Sequence, residues 1–420
     1  MNVNKIVHQL RQQIHQFSAS LTKNLSKPKA RFVQQMIYGL QASKDVKLSE
    51  IGRAIEEDIS LKKTVERLSH HLQEESLREH LQHAIMGQAA RRVQRDTLLI
   101  IDPSDIQKPY AEKMPYLATV RDGSTGELVD GYWTGHIIAC QPGSRRMVPL
   151  HQTLWSSKAP DFDSENTQIL QAVDEVLHHV GTRGIWVMDR GGDRCKLLGP
   201  FLERAMRFII RLRGDRDLMY RGQRIRCDLL AKRCPVWYID SVQRVVHGQE
   251  VTHRLEYGFV RVRLPRRDER LFLVVVRGFG QEPLLLLTNV ELRKSRNSVW
   301  AVVEGYLCRW LVEETIRFIK QAYHLEDLRL LNYTRLRTMM VLVLLAVYFA
   351  AVHLGEGLKL DVLTRRVISL SKRLFAIPEF HYYALADGIA FLLSKSSKGP
   401  IDTPTLSPPP DLQHYLFTIN

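Results

Sequence analysis

Cysteine is scarce in this sequence. Five occur in 420 residues (Cys140, Cys195, Cys227, Cys234 and Cys308), odd in number and without a CxxC pair. That excludes a disulfide framework and the common structural zinc sites, and a reducing compartment, the cytoplasm, is expected. Long apolar runs are also missing. The longest, Met339 to Val352, covers 14 residues, whereas a membrane span needs about 20. It is expected to be a buried core helix, so no membrane partner is expected. The opening MNVNKIVHQLRQQ has no apolar core of the kind a secretory signal needs. No GxxxxGK[ST] follows a strand and no Gly-x-Ser-x-Gly occurs, so phosphate-loop and serine-hydrolase chemistry lack their signatures. No internal repeat is found.

What the chain does have is positive charge. Sixty Lys and Arg stand against 45 Asp and Glu, a formal net charge of +15, with an ordinary hydrophobic fraction of 45%. A basic surface concentrates phosphates and speeds encounter with them, so a polyanionic partner is expected.

The pattern of apolar residues divides the chain. Residues 1–92 show helical spacing and many basic side chains, which predicts a helical DNA-binding domain. Within it, KLSEIGRAIEEDISLKKTVERLSHHL offers a helix led by Ser49, a break near Asp58 to Ser60 and a second basic helix. Such a pair permits a helix-turn-helix reading, although helical pairs of this kind also occur in domains that touch no DNA. From about residue 96 strands take over in TLLIID, YLATVRD and GYWTGHIIAC. Helix, strand, helix and strand follow through RFIIRLRG, so 93–213 reads as the first part of a mixed α/β core. Short β runs separated by charged turns predict a β-rich insertion over 214–283. The chain then returns to the core over 284–395 and ends in a proline-rich extended tail, 396–420.

Two apolar strands run into aspartates: TLLII into Asp102 and IWVM into Asp189. Strand ends in α/β sheets hold reactive groups at the rim of the core. The competing reading is a turn at each, since DPSD and DRGGD both favour one. The segment 306-YLCRWLVEETIRFIK-320 adds a third acidic group. At 100° per residue, Tyr306, Arg309, Glu313, Arg317 and Lys320 share an arc of about 80°, opposite an apolar face, with Glu314 at the edge. A surface ladder of ion pairs would explain Arg309, Glu313 and Arg317, but not the presence of Tyr306 and Lys320 in the same stripe. Phosphodiester chemistry would explain the set. Two divalent metals about 4 Å apart activate the nucleophile and the leaving oxygen, and such hard cations take carboxylate oxygens. Arg and Lys beside them would grip phosphates.

The spacing Tyr306, Arg309, Glu313, Lys320 resembles the Y-R-E-K signature of DDE-type bacterial insertion-sequence transposases, the IS-four family. IIDPSDIQK around Asp102 and VMDRGGD around Asp189 match its other two motif regions, so the resemblance spans about residues 96–350. It implies an RNase H-like mixed-sheet core with a β-rich insertion and an N-terminal all-helical domain. It also implies that Asp102, Asp189 and Glu313 bind two Mg²⁺ or Mn²⁺ ions. Tyr306, Arg309 and Lys320 would contact DNA phosphates, and Arg317 and Arg190 join them as candidate DNA contacts. The implied activity is cutting of the element's ends and joining to target DNA. The partners would be double-stranded terminal inverted repeats and target DNA, held by a homodimer in the bacterial cytoplasm. An RNase H-like nuclease without strand transfer, or a transposase-derived DNA-binding protein, remains the alternative. Some relatives carry a tryptophan where this chain has Leu284; Trp237 and Trp300 are read as core residues, with stacking on a flipped base in its place as the alternative. Asp105 is read as a solvated turn residue or, alternatively, as a support to the site.

Overall fold

Apolar residues recurring every three to four positions commit the first seventy residues to helices. The computed structural model describes residues 3–123, 125–144, 146–246, 249–355, 367 and 382–394. These fall into two compact units. One comprises Met1–His71 with His353–Asn420, the other Leu72–Val352. The expected helical segment 1–92 therefore does not coincide with a unit, because its last helix lies in the unit that holds the sheet. The predicted tail, 396–420, lies outside the described residues.

The first unit contains α1 (Val3–Leu21), α2 (Lys27–Ser43), α3 (Leu48–Ile55) and α4 (Leu61–His71), with α12 (Tyr382–Ser394) packed on α1 and α2. Helices α2 and α3 approach closely at Gly39, where an added Cβ would lie 2.5 Å from the Ile51 Cγ2 methyl. Between α3 and α4 the chain turns through Glu56 at φ 53°. Glu57 then pins the turn by accepting hydrogen bonds from Gln35 at 2.7 Å, Thr64 at 3.1 Å and Arg67 at 2.6 Å. Burial opposes the Glu57 charge, but Arg67 and Gln35 outweigh it and hold the carboxyl below its usual range.

The second unit is a mixed α/β layer. It opens with α5 (Glu75–Ala90), β1 (Leu98–Gln107), β2 (Ala118–Arg121), β3 (Leu128–Cys140) and β4 (Met147–Trp155). It continues through α6 (Glu165–Val180), β5 (Ile185–Met188), α7 (Cys195–Glu203) and β6 (Phe208–Arg211). Strands β1, β3 and β4 pair antiparallel, while β5 and β6 join β1 in parallel. This is an RNase H-like core. The β5 and β6 runs, IWVM and FIIR, are buried almost throughout, as strands covered on both faces require.

Next come β7 (Asp217–Tyr220) and β8 (Gln223–Arg226), which form a separate two-stranded hairpin, and α8 (Cys227–Arg233). Then follow β9 (Tyr238–Val246), β10 (Gln249–Val262), β11 (Leu271–Arg277) and β12 (Leu284–Thr288). The β-rich insertion expected here is not a detached lobe. Strand β12 pairs antiparallel with β6, so β12, β11, β10 and β9 extend the core into one ten-stranded sheet. Trp237 and Trp300 pack against aromatic neighbours, Phe259 at 4.7 Å and Tyr257 at 5.6 Å between ring centroids.

The unit closes with α9 (Arg296–Leu307), α10 (Arg309–Ala322) and α11 (Tyr333–Ala351). Helix α11 is the one described helix long and apolar enough to cross a membrane, and its residues 338–350 are buried in the protein. It packs on β4 and α5 as a core helix.

Candidate active site

Parallel register brings the two aspartates together. Ile100 of β1 is level with Val187 of β5, so Asp102 and Asp189, each two residues further on, stand side by side at the same end of the sheet. Met188 of β5 is level with Ile210 of β6, which adds Arg211 to that row. On the other side of β1, His136 of β3 pairs directly with Asp102. Four neighbouring strands thus present His136, Asp102, Asp189 and Arg211 in one line, and cross-strand neighbours on one face interact.

Strand β1 does not end at Asp102, as the DPSD sequence suggested. Its parallel pairing stops at Ile100, but its antiparallel pairing with β3 runs on to Gln107. Pro103 lies in this stretch, where β1 has lost its second neighbour and a missing N–H is tolerated. Asp189 does begin a turn. Its Oδ1 accepts the Gly191 amide at 2.8 Å, and a single 3-10 turn, Arg190–Gly192, follows. Asp193 completes the loop by accepting from the Arg213 amide at 2.8 Å and pairing with Arg216.

Glu313 comes from α10. The segment 306–320 is not one uninterrupted helix, because α9 ends at Leu307 and α10 starts at Arg309, with Cys308 between them. Helix α9 lies close over the sheet at Gly305, where an added Cβ would meet Ile209 Cδ1 and Leu98 Cδ2, each at 3.1 Å. The start of the face that a helical wheel left open to solvent is turned inward, while Glu313 further along it stays exposed. Tyr306 is 1% exposed and Arg309 8%.

Arg309 ties the acidic groups together. One nitrogen lies 3.5 Å from Asp102 Oδ2 and the other 2.7 Å from Glu313 Oε1. Burial pushes the Asp102 carboxyl up to about 7. Arg309 works against that rise, while Asp189 and Glu313 add to it. Burial also opposes the Arg309 charge, but Asp102, then Glu313, Tyr306 and Asp189 hold the guanidinium more firmly protonated than usual. Arg309 thus pairs with two of the three carboxylates, and Asp189 acts on it from further off. Among the described residues no group of three His, Cys, Asp or Glu side chains is already arranged as a metal cage.

The remaining candidates are distributed unevenly. Tyr306 meets Arg211, whose guanidinium donates to its hydroxyl at 3.5 Å. Lys320 lies 3.2 Å from Asp105 Oδ1. Arg190 is exposed beside Asp189. Arg317 departs from the stripe, pairing at 2.8 Å with Glu314 on the solvent side. Arg211 and His136 were not among the candidates read from sequence, and Asp105 was weighed there only as a turn residue or a support to the site. The signal for Arg211 was its position at the end of FIIR, which becomes informative only once β5 and β6 are aligned. His136 is buried and hydrogen-bonded to Thr134 at 3.0 Å. Burial, then Lys320 and His151, lower its pKa to about 3, so it is neutral.

The family model described as Transposase DDE domain matches residues 93–349. No curated protein matches the chain. Among solved structures, piggyBac transposase in a synaptic complex with hairpin DNA aligns at a TM-score of 0.44 and 12% identity, covering 91% of this chain and 82% of that one. An endonuclease V from Bacillus subtilis aligns at 0.20 and 10% identity, covering 61% of this chain and 96% of that one.

Proposed function

The chain belongs to the transposase DDE domain family, and from that premise we propose that it is the cut-and-paste transposase of an IS-four type bacterial insertion sequence. The observation that carries the reading is the register that sets Asp102 level with Asp189, with Glu313 held to the same place by Arg309. In this reading the three carboxylates are the catalytic set, and they hold two Mg²⁺ or Mn²⁺ ions. The donor set fits such ions: every ligand is a carboxylate oxygen, as hard cations prefer. Burial is the main cause of the raised Asp102 carboxyl, and the smaller part added by Asp189 and Glu313 is negative charge that a dication would relieve. When bound, the ions supply Lewis acidity that activates water, and then a DNA 3′-hydroxyl, for in-line attack on phosphorus.

The chain's own residues do the rest. Asp102, whose carboxyl burial raises to about 7, would have to be ionised to hold a cation. The Arg309 guanidinium lies between Asp102 and Glu313, where it keeps both carboxylates in place and can turn to a phosphate oxygen. Lys320, Arg190 and Arg211 would serve as further phosphate contacts, with bidentate geometry available from the arginines, and the buried Tyr306 would act through the Arg211 guanidinium that donates to it. Arg317, paired outward with Glu314, would reach only DNA that passes over that outer face. The α3–α4 pair of the first unit would contribute to recognition of terminal inverted repeats, and a homodimer would hold two ends at once. The protein would act in the bacterial cytoplasm, where the nucleoid lies.

The test is incubation of purified protein with Mg²⁺, a target plasmid and DNA carrying the element's own flanking sequence. Transposase activity predicts flanking ends cut and then joined to the target. Ends cut but never joined would indicate a nuclease without strand transfer, and binding without cutting would indicate a DNA-binding derivative.

A further inference from the structure

Asp105 is a buried carboxylate that the chemistry above leaves unused. It lies on β1 three residues beyond Asp102, opposite Trp133 of β3, and is 3% exposed. Its Oδ1 accepts from the Gly123 amide and from Lys320 Nζ, each at 3.2 Å. Its Oδ2 is buried with no hydrogen-bond partner. A carboxylate placed this way is costly unless a charge is held against it, and the charge it holds is Lys320. The two acidic residues of β1 therefore grip α10 at two points. Asp102 takes Arg309 near its start and Asp105 takes Lys320 near its end.

Resting on the reading of Lys320 as a phosphate contact, we propose that Asp105 is a positioning residue that aims the Lys320 ammonium at the DNA backbone. A free lysine side chain samples many rotamers, whereas one tied at its tip does not. An ammonium has three N–H donors; one goes to Asp105, and two are left for a phosphate oxygen. The titratable group facing Lys320 from β3 is His136, which is neutral and does not compete with Asp105 for the ammonium. Asp105 also lets a cation sit in a mostly buried place, beside a strand that already carries Asp102.

The experiment is a double-variant cycle on end cleavage, using a supercoiled plasmid that carries the coding sequence with its flanking DNA, and Mg²⁺. Coulomb attraction alone predicts that Asp105→Asn, which removes a negative charge near the DNA path, leaves cleavage unchanged or raises it. Positioning predicts the opposite sign. Asp105→Asn should lower kcat/KM about tenfold, Lys320→Gln about 30-fold, and the double variant no further than Lys320→Gln alone. Both single variants should also flatten the dependence of log Kd on log salt by up to about one unit, as loss of one phosphate contact does. If Asp105→Asn fails to fold, Asp105→Glu carries the same cycle, since it keeps the charge but moves it by a methylene. Losses that multiply in the double variant, or an Asp105→Asn protein as active as the native chain, would overturn the proposal. Lys320→Gln that cuts normally would remove the phosphate-contact reading beneath it, and the proposal with it.

Discussion

Replacing Asp102 by asparagine should stabilise the protein while abolishing its chemistry. The Asp102 carboxyl rises from 3.8 to about 7 in the fold, chiefly through burial. At about 1.4 kcal/mol per unit, that rise is roughly 4 kcal/mol held against folding when the group is charged. The folded state binds the proton more tightly than the unfolded one. The penalty is therefore absent below pH 4, grows as pH rises and is complete above pH 7. Asparagine removes it, at the expense of the 3.5 Å contact with Arg309, which keeps its shorter contact to Glu313 at 2.7 Å. A net gain of about 1–3 kcal/mol at pH 8 is expected, which is about 2–5 °C in Tm for a unit of this size. Thermal unfolding of both proteins in EDTA at pH 8 and pH 5 measures it. The gain should fall by about 2–3 kcal/mol between pH 8 and pH 5, so that it vanishes or reverses there, in line with the titration. An Asp102→Asn protein that melts below the native one at pH 8, or gains equally at both pH values, would refute the reasoning.

Three further outcomes follow from the same geometry. Arg309→Ala should move stability the other way, losing about 2–4 kcal/mol at pH 8 because Asp102 and Glu313 are left without their shared cation; a melt unchanged from native would show that Arg309 is not what holds them. Gly305→Val should cost about 1–3 kcal/mol in urea unfolding, since its side chain would press on Ile209 and Leu98 and lift α9 from the sheet. A neutral result would mean that the helix has room to move. Mg²⁺ at about 100 times its Kd should raise stability by about 2.7 kcal/mol in the native protein. Asp189→Ala should abolish that gain in thermal melts, and an equal gain in both proteins would place the ion elsewhere.

Much of the fold was legible because the elements announce themselves locally. Apolar runs such as IWVM and FIIR, bounded by charge and glycine, read as buried strands and are buried strands. The apolar helix from Tyr333 was legible as core from its length alone. What was not legible depended on pairing across long separations. The insertion strands looked like a lobe because nothing in LFLVVVRGF tells that it will pair with LLLLT of the returning core, and so extend the sheet that LLLLT joins at FIIR. Asp105 looked like a turn residue because Pro-Ser-Asp favours turns, yet antiparallel pairing with β3 carries the strand through it. The wheel through 306–320 set Arg309 and Glu313 on one stripe, and the two pair in the structure. It assigned Arg317 to the wrong neighbour, because Arg317 turns out to Glu314 and away from the strand ends. Arg211 enters the site only through the register of β5 and β6, which sequence spacing does not contain.

The central claim is that the acidic face of α10 turned toward Asp102 and Asp189 does the cutting, and adjacent glutamates allow a direct comparison. Glu313 is tied to Arg309 above the strand ends, while its neighbour Glu314 is paired outward with Arg317. End cleavage by Glu313→Gln and Glu314→Gln, each with DNA binding measured in parallel, separates them. The account predicts that Glu313→Gln binds DNA but does not cut it, and that Glu314→Gln cuts at close to the native rate. Cleavage retained by Glu313→Gln and lost by Glu314→Gln would contradict it.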